Sequence, residues 1–100
     1  MAVAVLEFRP YVKQTLRGFL TVRLTNVGLE IRDLALHKQN GKRWLQLPAR
    51  PSTKPDGSQG WSYLVSFYEK TRFEQFREVA LRALDEYRRQ AEGNERDRRS

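Results

Sequence analysis

KQNGKRWLQLPARPSTKPDGSQGW, residues 38–61, decides how the chain is laid out. It carries five cations, Lys38, Lys42, Arg43, Arg50 and Lys54, ahead of its first acid, Asp56. Two tryptophans, three prolines and three glycines share the same stretch. Within Gln39-Asn40-Gly41-Lys42, the Asn-Gly pair suits a type I′ hairpin turn, because both residues tolerate the positive φ that the turn demands. Residues 43–47 then read as the returning strand. Trp44-Leu45-Gln46-Leu47 is its apolar run, and Pro48, which has no ladder N–H, closes it. Residues 49–60 hold Pro51, Pro55, Gly57 and Gly60 among serine and aspartate, and read as a long, mobile, basic surface loop.

Upstream of this stretch the pattern is that of sheet. Residues 2–8 are valine-rich and read as a strand ended by Pro10, with residues 11–16 as a connection. Residues 16–24 alternate well: Leu20, Val22 and Leu24 share one face, and Arg17, Phe19, Thr21 and Arg23 the other. Gly18 marks a bulge or a close backbone approach. Thr25-Asn26-Val27-Gly28 is a turn. Residues 29–37 form the next strand, but its apolar phase changes. Leu29 and Ile31 share one parity, Leu34 and Leu36 the other, so an extra residue near Arg32-Asp33 is needed to bury both sets on one side. Asp33 is expected to accept hydrogen bonds from the bulged backbone.

Downstream, residues 61–68 alternate, with Trp61, Tyr63, Val65 and Phe67 together on an aromatic face that suits a core position. Thr71-Arg72-Phe73-Glu74 fits a capping box, and Phe73, Phe76, Ala80, Ala83, Leu84 and Tyr87 recur at helical spacing as one stripe. Glu78–Arg82 and Asp85–Arg89 are spaced as i,i+4 pairs on the wet side. Gly93 is the expected stop. The fold class that follows is α+β: a twisted antiparallel sheet of four to five strands with one long C-terminal helix packed on one face. Residues 1–92 form a single domain and 93–100 a charged, disordered tail.

At 100 residues with 39% hydrophobic content, the core is modest, and a partner subunit would add to it. The absence of cysteine removes disulfides and thiolate chemistry. The longest apolar run, residues 2–6, is too short to span a bilayer and lacks the form of a signal peptide. A soluble, cytoplasmic protein is expected. The net charge is +7 and it is uneven. Residues 1–68 carry ten Lys/Arg against four Asp/Glu, whereas residues 69–100 carry nine against eight. The excess therefore lies on the sheet half and its loops, a field that favours polyanions and nucleic acid first among them.

Catalysis finds little to work with. His37, the single histidine, ends a strand beside Lys38 and reads as a solvent-facing strand residue. No His/Cys/Asp/Glu cluster has metal-ligand spacing, no glycine-rich phosphate loop precedes a helix, and no serine has an evident base. The expectation is no enzyme, no metal, no cofactor and no small-molecule substrate. The candidate nucleic-acid-binding residues are Lys42 and Arg43 beside the turn, Arg50 and Lys54 on the loop, Arg17 and Arg23 on the non-core face of the second strand, and Trp44 as a base-stacking aromatic. Arg32 joins them if the bulge turns it outward, and Phe19 and Trp61 are further stacking candidates.

Several short runs resemble the stage V sporulation protein G (SpoVG) family of bacterial regulators. They are Gly18-Phe19-Leu20-Thr21-Val22-Arg23-Leu24, Leu29-Glu30-Ile31-Arg32-Asp33-Leu34-Ala35-Leu36, Asn40-Gly41, Trp44-Leu45-Gln46-Leu47-Pro48-Ala49-Arg50, Pro55-Asp56-Gly57 and Leu84-Asp85-Glu86-Tyr87-Arg88. The similarity covers roughly residues 16–90. It implies a small α+β fold, a homodimer, and a non-enzymatic regulator that binds nucleic acid through the basic loop after the proline-ended strand, here Pro48, Ala49, Arg50 and Lys54. Residues 1–15, the extra Pro51-Ser52-Thr53 and the end of the strand at Phe67-Tyr68 depart from the family pattern. Two other classes stand beside this one. One is a protein-interaction module using an exposed strand edge or aromatic sheet face. The other is a binder of anionic membranes, which the missing basic amphipathic helix disfavours, so no membrane partner is expected.

Overall fold

A computed structural model describes the backbone of residues 1–99 and the side chains of residues 1–92. Six strands precede one helix: β1 (Val3–Lys13), β2 (Leu16–Leu24), β3 (Leu29–Gln39), β4 (Lys42–Gln46), β5 (Ala49–Thr53), β6 (Gln59–Tyr63) and α1 (Lys70–Arg99). The first four form an antiparallel meander in the order β1-β2-β3-β4, and β5 and β6 form a separate two-stranded sheet. The architecture is α+β. The helix bounds reach past Gly93, the expected stop, and the tail expected over 93–100 falls on residues whose side chains lie outside the description.

The core lies between the meander and α1. Leu20, Val22 and Leu24 from β2 meet Ile31, Leu34 and Leu36 from β3, Leu45 and Leu47 from the β4 side, and Phe76, Ala80 and Leu84 from the helix stripe. Full burial of each large side chain here contributes about 1.5–3 kcal/mol. Phe67 links the layers, its ring 6.0 Å from that of Phe73 and 5.2 Å from that of Phe76. The β3 bulge falls where the phase change requires it. Leu20 pairs with Leu34 and Val22 with Ile31, so Arg32 and Asp33 together oppose Thr21. Asp33 sits at φ 60°, and the inserted residue brings Ile31, Leu34 and Leu36 to the same face. Asp33 does not serve the bulged backbone. Its Oδ1 accepts from Arg9 Nη2 at 2.6 Å. The Asn40-Gly41 turn has positive φ at both residues, 53° and 79°, as a type I′ turn requires.

Three boundaries depart from expectation. Pro10 does not end β1, which runs on to Lys13. β1 is an edge strand, so a missing donor there leaves no ladder partner unsatisfied. The helix starts two residues earlier than a Thr71 cap implies: Phe73 N–H donates to the Glu69 carbonyl, which places Glu69 at the N-cap. Of the two i,i+4 pairs, Glu78–Arg82 forms at 2.6 Å, whereas Asp85 turns to the sheet and Arg89 pairs with Glu86.

The largest departure is the basic loop, which is a β-hairpin. Lys54 N–H donates to the Ser58 carbonyl and Gly57 N–H to the Lys54 carbonyl, with Gly57 at φ 87°. That is a tight Pro-Asp turn followed by a left-handed glycine, a standard three-residue hairpin connection. Asp56 Oδ1 accepts from both the amide and the hydroxyl of Ser58, which holds its carboxyl below the usual range. Leu64 N–H donates to the Pro48 carbonyl at the far end. Counting by two between these bonds puts Pro51 and Trp61 in a non-hydrogen-bonded pair, where proline costs the ladder nothing. The strand expected over 61–68 stops at Tyr63; Trp61 and Tyr63 are exposed, and only Val65 and Phe67 turn back to the core.

Gly18 is a close approach. A Cβ there would lie 2.6 Å from the Arg9 carbonyl oxygen and 2.7 Å from the Phe8 ring. Gly18→Ala should therefore lower unfolding stability by about 1–3 kcal/mol in a urea titration. An unchanged midpoint would mean that the Phe8 ring is not seated on this glycine.

Candidate nucleic-acid interface

The helix covers one face of the meander and leaves the other open. Paired residues define that open face in rows. Arg9, Phe19, Ala35 and Gln46 align across the four strands, and Lys13, Leu16, His37 and Trp44 align in the next row. His37 and Trp44 stack with ring centroids 5.3 Å apart and planes 5° from parallel. The His37 ring is pinned from both sides, Nδ1 by the Thr15 hydroxyl at 3.0 Å and Nε2 by Gln46 Oε1 at 3.2 Å. It is therefore a cross-strand tie between the β1–β2 turn, β3 and β4, rather than the solvent-facing residue expected. Tyr11 leans on Phe19 at 6.1 Å, and the Arg9 guanidinium lies 5.9 Å from the Phe19 ring centre.

The antiparallel meander brings the β1–β2 and β3–β4 turns to one end of the sheet, where Lys38 N–H donates to the Thr15 carbonyl. Four cations gather there: Lys13, Arg17, Lys38 and Lys42. None of them forms an ion pair among the described residues. Arg17 is the extra residue of a register shift in β2, and its Nη1 donates to the Gln14 and Leu16 carbonyls at 2.6 and 3.1 Å. These bonds orient the guanidinium without cancelling its charge. Lys13 and Lys38 were not singled out as site residues. The signal for them is the topology, which places two turns distant in sequence side by side.

The hairpin carries two different faces. Arg50 pairs with Ser62 and Ser52 with Gly60, so these side-chain positions share a face. Lys54 joins it, because its Cε would lie 2.7 Å from a Cβ at Gly60. Trp61, paired with Pro51, and Tyr63, paired with Ala49, occupy the opposite face. That aromatic face looks back to the meander. Pro48, Ala49, Trp61 and Leu64 wall a groove of about 590 Å³ whose floor includes Phe19, Ala35 and His37.

The sequence-predicted residues thus divide. Lys42, Arg50 and Lys54 are exposed and unpaired among the described residues, and Arg17 is unpaired and half-buried. Trp44 is half-buried and already has His37 on one ring face. Arg23 bonds Glu30 at 3.0 Å, and Arg32 bonds the other oxygen of the same carboxylate at 3.0 Å. The two guanidiniums, Arg23 foremost, hold the Glu30 carboxyl below its ordinary range, and together the three residues keep one net positive charge. Arg43 is spoken for. It points to the helix side, where Nη1 and Nη2 grip Asp85 at 2.7 and 2.9 Å. Its place in the β4 alternation, two residues before core-facing Leu45, explains this.

Among the described residues no group of three or more His, Cys, Asp or Glu could hold a metal ion, and no helix is long and apolar enough to cross a membrane. No protein-family model, curated protein or solved structure matches the chain.

The Arg43–Asp85 pair fastens α1 to the sheet, and its energy follows its exposure. The hydrogen bonds from Arg43 are the main cause that holds the Asp85 carboxyl below its ordinary range. A carboxyl depressed on folding stabilises the fold above its unfolded pKa, and that contribution is lost as pH falls through the folded value. With Asp85 45% exposed, a double-mutant cycle of Arg43→Gln and Asp85→Asn should give a coupling of at most about 1 kcal/mol at pH 7. The coupling should vanish once the pH lies below the depressed Asp85 value, as read by urea melts across acid pH.

Proposed function

We propose that this chain is a nucleic-acid-binding regulatory protein of SpoVG-like character, acting as a homodimer and without catalytic chemistry. One observation carries the reading. The cations that lack an acidic partner among the described residues of the sheet half collect at the end of the sheet where the β1–β2 and β3–β4 turns meet, at Lys13, Arg17, Lys38 and Lys42, and along the hairpin at Arg50 and Lys54. Arg43 is taken by Asp85, and Arg9, Arg23 and Arg32 each have an acid within 3.0 Å. The unpaired set is what a phosphate backbone requires: charges, all exposed but the half-buried Arg17, spaced over two turns and a projecting arm and free of internal neutralisation. The similarity to SpoVG regulators in the β2, β3 and Pro48-Ala49-Arg50 runs supports the same class.

A second reading, a protein-interaction module, is favoured by the exposure of Trp61, Tyr63, Leu64 and Tyr68. A partner protein held through these residues would stay bound in high salt and after nuclease treatment, whereas phosphate contacts would not.

Binding to a mixed-sequence oligonucleotide at ~50 mM salt should weaken linearly in log salt, with a slope of about 0.7–0.9 per phosphate contact. Arg50→Ala with Lys54→Ala, and separately Lys38→Ala with Lys42→Ala, should each flatten that slope by up to about two units. The absence of any binding at ~50 mM salt would overturn the reading.

A further inference from the structure

Building on the nucleic-acid reading, we infer that the open face of the meander and the aromatic side of the hairpin together form a base-stacking groove for a single strand. Four observations converge on it. First, four aromatic rings lie in or beside one concavity, whereas Tyr63 and Tyr68 line a neighbouring one with Trp44. Phe19 and His37 are in the floor of the first, Trp61 in its wall, and Tyr11 beside Phe19 on the adjoining edge strand. Second, Trp61 is 66% exposed and Tyr11 54% exposed, so both rings offer free faces. Third, the floor is rigid. The His37–Trp44 stack is fixed at both imidazole nitrogens, and the small Ala35 between Phe19 and Gln46 leaves room at the centre. Fourth, the unpaired charges flank this groove instead of lining it. Lys13, Arg17, Lys38 and Lys42 stand at one end of the sheet, and Arg50 and Lys54 lie on the outer side of the hairpin.

The groove is lined mostly by apolar and aromatic side chains, and its two charged lining residues, Arg32 and Asp33, are each already paired. A groove of this kind with cations at its margins receives unpaired bases inward and phosphates outward. A duplex presents the reverse, with phosphates outermost and bases already stacked and paired, so its bases do not reach a groove recessed between a sheet and an arm. Charge complementarity also decides against a second copy of this chain as the occupant, since two such cationic margins would face each other. Trp61 is the principal stacking residue and Phe19 the secondary one. Arg9, 5.9 Å from the Phe19 ring centre and paired with Asp33, steadies that ring and makes no phosphate contact.

The test is an intrinsic-fluorescence titration of the full chain, at ~50 mM salt, with an oligothymidylate of about 15 nucleotides, a mixed-sequence duplex of equal length, and inorganic polyphosphate as a base-free polyanion. The single strand should quench tryptophan emission and bind about tenfold or more tighter than the duplex. Trp61→Ala should weaken single-strand binding about 5- to 100-fold while leaving polyphosphate binding and the salt slope as in the wild type. Trp61→Phe should restore most of the loss, which separates stacking from a folding defect. Equal binding of duplex and single strand, with Trp61→Ala indistinguishable from wild type, would overturn the groove and leave the broader reading standing. Failure of all three polyanions to bind would overturn that broader reading itself. Concentration-dependent self-association abolished by Trp61→Ala, with oligonucleotide binding unaffected, would assign the face to a second copy and also overturn the inference.

Discussion

Ile31 and Leu34 lie an odd number of residues apart on β3, yet both are buried against the same helix. A regular strand would send one of them to the opposite side. The insertion at Arg32-Asp33, with Asp33 at φ 60°, absorbs the difference. Without it, either the Leu29–Ile31 half or the Leu34–Leu36 half of the strand would present leucine to the open face and polar residues to Phe76, Ala80 and Leu84. The Arg9–Asp33 hydrogen bond at 2.6 Å then ties the bulge across to β1. The separation of a leucine-lined face from an aromatic and cationic one rests on this single irregularity.

The parts of the fold legible in the sequence are those where local chemistry and tertiary packing agree. Asn40-Gly41 demanded a turn, Leu20-Val22-Leu24 demanded a buried face, and the phase change in β3 demanded a bulge. The hairpin at residues 49–63 was not legible, because Pro51 looks like a strand breaker until its partner is known. In a two-stranded ladder half the positions have no inward N–H bond, and Pro51 occupies one of them. Lys54-Pro55-Asp56-Gly57 held the turn signal, but the strand before it lacked an apolar rhythm. Pro10 misled for a related reason: its edge position is a fact of topology that no local window contains.

The candidate site was legible in composition and only partly in position. Counting charge located the excess on the sheet half. It did not reveal that Arg43 would reach Asp85 across the domain, or that Glu30 would serve two arginines. Those pairings depend on which face a residue takes and on elements far apart in sequence. They change the meaning of the +7 charge. Four of the ten sheet-half cations, Arg9, Arg23, Arg32 and Arg43, have acidic partners, and the six that remain are concentrated at two turns and one arm. The parity that grouped Trp61 with Phe67 failed because the chain leaves the ladder after Tyr63, so period two no longer relates the two aromatics.

The outer border of β1 has a consequence for how this molecule keeps company with copies of itself. Sheets tend to grow sideways when a bare strand offers an unbroken line of amides and carbonyls to a neighbour. Here that line is interrupted by the imino nitrogen of Pro10 and by two register shifts, at Val5/Glu7 and Pro10/Lys13, and it is studded with Glu7, Arg9 and Lys13. The opposite border, β4, spans only five residues. Neither margin is a template for fibrillar stacking, so a small, aromatic-rich domain holds a wide uncovered sheet surface without inviting polymerisation along its rims.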